Sequence, residues 1–248
     1  MCLILFGYQV DPTKPLIVAA NRDEFHGRAA TPADFWPDHD LILAGRDEVA
    51  GGTWLGCTRT GRFAALTNFS TPEDPENPKS RGGLVHGFLA GVDDAEHYAH
   101  HLHGADYAGY NLLLFDGKTL VCTSNRGTTE VLTPGYYGLS NAELGARWPK
   151  CIQGAQRLED WVQQGFEHTD LVAMLRDASV PSDDELPHRG RPIEMERRVA
   201  PCFIMGDEYG TRASTIIELG TKNISFSEQS YAANGRATGT VRYDFEVV

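Results

Sequence analysis

The sequence predicts an α+β fold: a four-layer αββα sandwich in which two antiparallel sheets stack face to face between helices. Three observations lead there. Strand-like apolar runs fall into three groups separated by two pairs of helical segments, so the order is strands, helix pair, strands, helix pair, strands. Neighbouring runs are joined by short turn-forming stretches, which is hairpin chemistry rather than crossover chemistry. The final run alternates cleanly, with Val241, Tyr243, Phe245 and Val247 on one face and Arg242, Asp244 and Glu246 on the other. Each sheet can then bury one face on its partner and one beneath helices. With 248 residues and no internal repeat, a single domain over residues 1–248 is expected.

The elements follow in order. MCLILFGY and LIVAA flank the turn VDPTKP and read as a first hairpin, residues 2–8 with 16–20. TWLGCTR and RFAALTN flank Thr60-Gly61 and give a second. After the Pro-rich loop STPEDPENP come two helical segments, near 83–90 and 93–103. YNLLLFD turns through Asp116-Gly117 into KTLVCTSN, followed by the strands TEVLT and YYGLS. Residues 148–164 and 171–177 read as helices, the second with Thr169 or Asp170 as N-cap. The polar stretch SVPSDDELPHRGRP is a surface loop or lid. APCFIM, STIIELG, NISFSEQSY and TVRYDFEVV complete the chain as strands.

Composition narrows the function. A formal charge of −12 argues against nucleic-acid binding, which needs clustered Lys and Arg. Five cysteines without metal-type spacing read as reduced thiols, and the apolar start is too short to span a membrane and lacks signal-peptide flanks. A cytoplasmic protein is expected, without cofactor or metal. The histidines of EHYAHHLHG read as a wet polar helix face, and Cys57, Cys122, Cys151 and Cys202 as core residues.

The first hairpin carries the most informative stretch. If Val10 pairs with Pro15, opposed positions sum to about 25, and Cys2 faces Asp23 inside the tetrapeptide Asn21-Arg22-Asp23-Glu24. Four consecutive polar groups after a buried strand need partners, because an unpaired buried polar group costs ~1–3 kcal/mol. Either they cap the strand as surface ion pairs, or they build a site beside the thiol.

MCLILF, AANRDEF, GGTWLG, AALTNF, SRGGLV, YGLSNA and YGTRASTII together resemble the NRDE family, also called the transport and Golgi organisation protein 2 family. That family is similar to the N-terminal-nucleophile hydrolases, whose stacked double sheet agrees with the strand order above. The resemblance implies links to trafficking and to haem, lipids or acyl thioesters. It implies a small amphipathic partner: an acylated substrate, haem or acyl-CoA. By resemblance to bile-salt and penicillin V amidases, Cys2, Asp23, Asn68, Asn141 and Arg212 fall at matching stations. One departure is that Arg22 and Asp23 are adjacent here, so they face opposite sides of a strand unless it has ended. Asp23 is the preferred partner of Cys2 on that count.

The chemistry required is specific. Removal of Met1 would give Cys2 a free α-amine with a pKa of ~7.7–8.0, able to accept the proton of a thiol at ~8.5. Arg22 is expected to favour the thiolate, Asp23 to orient the ammonium, and Asn68 and Asn141 to donate to an oxyanion. Arg212 is expected to hold the site carboxylate or an anionic substrate group. Arg81, ahead of a helix start, with Trp54 and Asn21, is expected to bind ligand. Two functions remain open: an N-terminal-cysteine amidohydrolase or thioesterase, and a non-catalytic carrier for haem, lipid or acyl-CoA.

Overall fold

A computed structural model describes residues 2–69, 74–165, 168–187 and 189–248. Met1, the first part of the Pro-rich loop (70–73) and His188 of the polar lid stretch therefore lie outside the described residues. Among the described residues, thirteen strands form two antiparallel sheets. Sheet A has the order β10-β1-β2-β11-β12-β13, from Gly135–Leu139, Cys2–Asp11, Lys14–Phe25, Tyr209–Leu219, Asn223–Ala232 and Arg236–Glu246. Sheet B runs β3 to β9 consecutively: Ala30–Trp36, His39–Asp47, Leu55–Thr58, Phe63–Asn68, Tyr110–Phe115, Leu120–Ser124 and Glu130–Val131.

The continuous apolar runs are explained by burial on both faces. On β1 and β2, Ile4, Phe6, Val18 and Ala20 face sheet B, where they meet Leu43, Phe63, Ala65 and Leu113. Leu3, Leu5, Ile17 and Ala19 face outward onto α3 (Pro149–Gln164) and α4 (His168–Leu175), packing on Cys151, Leu158 and Leu171. Sheet B buries Ala64, Leu112 and Leu114 beneath α1 (Gly82–Ala90) and α2 (Ala95–His100), whose Val85, Phe88 and Ala99 meet them. The layers are thus helix, sheet, sheet, helix. Close approach of α3 depends on Gly138, where an added Cβ would sit 2.4 Å from the Cys151 carbonyl. Val241, Tyr243, Phe245 and Val247 of the last strand pack on the core between the sheets.

Four local expectations need correction. Residues 30–47 form two strands that the sequence reading does not anticipate, because Pro32, Asp34, Asp38 and Asp40 break the apolar pattern. β3 lies at a sheet edge, the position that tolerates proline. APCFIM is not a strand; its backbone bonds to other partners, Phe203 N–H to the Asp177 carbonyl at 2.9 Å and Ile204 N–H to Thr211 Oγ1 at 2.9 Å. Residues 193–199, for which no element is expected, form α5 (Ile193–Val199), with Glu194 and Glu196 in its first turn and Arg197 and Arg198 in its last. Finally, α4 begins at His168, upstream of the expected cap at Thr169 or Asp170.

Candidate functional site

The sandwich opens at one end into a cleft of about 360 Å³, within the range of small-molecule sites. Cys2 starts β1 beside it, Arg22 and Asp23 come from the end of β2, and Asn68 ends β6. Trp54 precedes β5, and Arg81 stands at the N-cap of α1. The loops carrying Trp54 and Arg81 meet at Gly52 and Gly82, where a Cβ on Gly52 would fall 2.6 Å from the Gly82 carbonyl carbon. All six of these residues line the cleft.

The strand register differs by one residue from expectation, and the difference matters. Cys2 pairs with Arg22, not with Asp23. Directly opposed residues share a face with Cβ atoms about 4.5–5.5 Å apart, so Arg22 is the cross-strand neighbour of the thiol. By strand alternation the Asn21 and Asp23 side chains point to the opposite face, where Asn21 meets the end of α4 and Asp23 meets Thr211 of β11, although Asp23 still borders the cleft. The tetrapeptide remains within β2 throughout, so its alternation is that of a continuous strand.

Arg22 is largely buried and approaches Asp47 Oδ2 at only 3.7 Å. Asp47 is already held by Arg28 Nε at 2.6 Å and by the Val49 and Ala50 N–H groups, each at 3.0 Å. Asp23, 3% exposed, accepts from the Thr211 hydroxyl at 2.7 Å, while Tyr209 donates to its carbonyl at 3.2 Å. Burial pushes the Asp23 carboxyl up, and the Thr211 hydroxyl and Arg22 pull it back. Burial likewise pushes the Cys2 thiol up, with Arg22 acting in the opposite direction. Deep burial drives Cys57, Cys122 and Cys151 to about 12 and Cys202 to about 11.

The remaining expected residues divide. Asn141 is buried near Cys2, but its Nδ2 donates to the Asn68 carbonyl at 2.6 Å. Its Oδ1 accepts from Ser140, whose hydroxyl also donates to the Cys2 carbonyl at 2.8 Å. Arg212 does not line the cleft; its Nη1 donates to the Phe25 and Arg28 carbonyls at 2.9 and 2.6 Å, clasping the connection from β2 to β3. Asn21 does not line it either. Fully buried, it donates to the Leu175 and Cys202 carbonyls, both at 2.8 Å, and accepts from Ser214 at 2.6 Å. Arg81 donates to the Gly109 carbonyl at 2.8 Å, and burial lowers its pKa.

Two cleft residues escape the sequence reading. Asp47 belongs to Arg46-Asp47-Glu48, a second copy of the Arg-Asp-Glu triplet at 22–24, and that repetition is a usable signal. Glu228, on β12, bridges the sheets: Ala33 N–H of β3 donates to Oε1 at 2.9 Å and Thr215 to Oε2 at 3.3 Å. Nothing in NISFSEQSY marks it. The His97 and His101 rings stack 4.0 Å apart on α2, and no group of three or more His, Cys, Asp or Glu able to hold a metal occurs among the described residues. No helix among them is long and apolar enough to cross a membrane.

Residues 1–233 match the family described as Transport and Golgi organisation 2. The chain belongs to that family. The Transport and Golgi organization protein 2 homolog of Bos taurus is 37% identical over 93% of both chains. The Drosophila melanogaster Transport and Golgi organization protein 2 is 34% identical over 90% of this chain and 89% of its own. Among solved structures, the Caenorhabditis elegans N-acylethanolamine-hydrolyzing acid amidase ortholog superposes with a TM-score of 0.56 at 11% identity, covering 88% of this chain and 93% of that one. A mutant conjugated bile acid hydrolase from Clostridium perfringens gives 0.52 at 10%, covering 99% and 92%. These likenesses show that this family member has the stacked-sheet fold of N-terminal-nucleophile hydrolases.

Proposed function

We propose that the protein is an N-terminal-cysteine hydrolase that cleaves an amide or thioester of an acylated small molecule. The observation that carries this reading is the Cys2–Arg22 pair facing the cleft, with Asp23 buried behind it. Removal of Met1 gives Cys2 an α-amine that takes the thiol proton. The thiolate then adds to the acyl carbonyl, and the oxyanion is met by Asn68, the carboxamide residue lining the cleft. The ammonium returns its proton to the departing amine or thiol as the carbonyl reforms, leaving an acyl group on Cys2 that water releases. Trp54 and Leu66 supply apolar wall and Arg81 a cation, which suits an amphipathic anion. The amide-cleaving proteins of like fold support the choice of reaction.

A second reading, a carrier for haem, lipid or acyl-CoA, is favoured by one observation: the Asn141 donor is committed to the Asn68 carbonyl. Intact mass after brief exposure to a medium-chain acyl thioester separates the two. An acyl adduct on Cys2, absent in Cys2→Ala and preceded by loss of Met1, is the hydrolase result. If Met1 is retained, or Cys2→Ala binds the thioester as tightly as wild type with no adduct in either, the carrier reading stands instead. Arg81→Ala should then weaken binding, and the effect should diminish with salt.

A further inference from the structure

One buried acid in the cleft takes no part in the chemistry above. Glu228 is 5% exposed and lines the cleft, yet it stands on β12, three strands along sheet A from Cys2. The Ala33 N–H donates to Oε1 at 2.9 Å, and the Thr215 hydroxyl reaches Oε2 at only 3.3 Å. Both donors are neutral, and no cation lies within 4.0 Å of the carboxylate among the described residues. A carboxylate withdrawn from water is costly unless opposite charge faces it. Holding the sheets together does not require that charge, since a glutamine oxygen would accept from the Ala33 N–H equally well.

The register places this acid at the far end of the wall that begins at Cys2. Cys2 opposes Arg22, Arg22 opposes Ala213, and Thr215, two residues on, opposes Glu228. Directly opposed residues share a face, as do residues two apart on a strand, so all of these look from sheet A towards sheet B. The cleft is also lined by Ala30, Gly45 and Ala213, none with a side chain beyond Cβ. At Gly45 an added Cβ would lie 3.8 Å from Glu228 Oε2, in space that the glycine leaves open. Three strand spacings put the backbones at Cys2 and Glu228 ~14 Å apart. A ligand lying along this wall has its carbonyl at the thiol and its other end at the acid.

We propose that Glu228 binds a protonated amine of the ligand, so that the cleft selects an acylated molecule whose far end carries an ammonium group. A cation supplies the charge that the protein leaves out. A carboxylate or phosphate would be repelled, and an alkyl end would desolvate the acid further without offsetting its charge. An ammonium brings three donors to the lone pairs of Oε1 and Oε2 that Ala33 and Thr215 leave free. Arg81 faces the anionic part of the same ligand, so the two residues read opposite charges on one molecule. The role of Glu228 rests on the cleft being the acyl site proposed above, but not on turnover there.

The test is isothermal titration calorimetry with two thioesters of N-acetylcysteamine, ω-aminooctanoyl and nonanoyl, which differ by an ammonium against a methyl at the chain end. Extended, the amino chain places its nitrogen ~10 Å from the carbonyl, the reach of about three residues of backbone. Titrating Cys2→Ala keeps turnover out of the measurement. The ω-amino thioester should bind about tenfold more tightly than nonanoyl, and adding Glu228→Gln should reduce that preference to about twofold or less. Should Glu228→Gln not fold, Gly45→Ala serves, since its methyl fills the space beside Oε2 and should cut the preference while leaving the charge. Equal binding of the two thioesters, or a preference that survives in the folded variant, overturns the proposal and leaves the acyl site standing. Binding of neither thioester removes the acyl site and the proposal with it. A preference that is lost with Glu228, without an acyl adduct on Cys2 in wild type, upholds the proposal and refutes hydrolysis.

Discussion

Replacing Asn21 with leucine removes three hydrogen bonds at a fully buried site while keeping the branched shape and the number of heavy atoms of the side chain. The Leu175 and Cys202 carbonyls lose a donor, and the Ser214 hydroxyl loses its acceptor. Each orphaned group costs ~1–3 kcal/mol, and with partial relaxation the sum is about 4 kcal/mol. That is a large fraction of the ~5–15 kcal/mol that holds a typical domain together. In urea, with a slope of about 3 kcal/mol per molar, the midpoint should fall by about 1.3 M, read by far-UV circular dichroism. Asn21→Asp adds a sign test. Its buried carboxyl faces two carbonyls, so its folded pKa lies above the unfolded ~3.9. The folded variant then binds more protons than the unfolded chain, and its stability relative to wild type should fall as pH rises from about 4.5 to 7.5. A loss below about 1 kcal/mol in Asn21→Leu, accompanied by loss of ligand binding, would refute this reasoning and return Asn21 to the ligand-binding role expected from sequence.

Three further outcomes are expected. If Met1 is removed and the freed α-amine takes the thiol proton, limiting iodoacetamide on folded protein should label Cys2 before Cys57, Cys122, Cys151 and Cys202, with peptide mapping giving the order; earlier reaction of any of those four counts against a functional Cys2. Gly138→Ala forces β10 and α3 apart at a backbone contact and should destabilise by ~2–3 kcal/mol in the same urea assay. Glu228 is buried with its pKa raised, so wild type loses stability as pH rises above the unfolded value of ~4.3; Glu228→Gln lacks that loss and should gain on wild type between about pH 4.5 and 7.5.

The parts of the fold legible in the sequence were those where burial on both faces leaves an unbroken apolar run between turn residues: β1, β2, β6, β7 and β8. The hairpin of β3 and β4 was not, since an edge strand can carry Pro32 and Asp34 without losing its ladder. The one-residue error in the Cys2 register arises at the turn, where Gln9 adopts a positive φ of 50° and the pairing shifts between Tyr8 and Asp11. Paired numbers therefore sum to 24 (Cys2 with Arg22) rather than 25. Such a bulge is invisible in the pattern VDPTKP, yet it decides which charge faces the thiol. Glu228 was illegible for a different reason: a glutamate in a polar stretch reads as a solvated strand face, and only the stacking of the second sheet buries it.

The strand orders also dictate a sequence of assembly. Every neighbour in sheet B is next in the chain, from β3 to β9, so that sheet can form by successive local hairpins. Sheet A joins β2 to β11, with Leu16 paired to Leu219, a closure spanning most of the chain. Synthesis must pass Leu219 before β2 gains that neighbour, and until then the edge of β2 stands open. The cleft draws Cys2 and Arg22 from sheet A and Asn68 from sheet B, so it is complete only after that late closure. Truncations that remove β11 to β13 should therefore leave nascent chains with a formed sheet B, an exposed apolar strand edge and a demand for chaperone protection, which places the cost of this architecture on the ribosome rather than in the folded state.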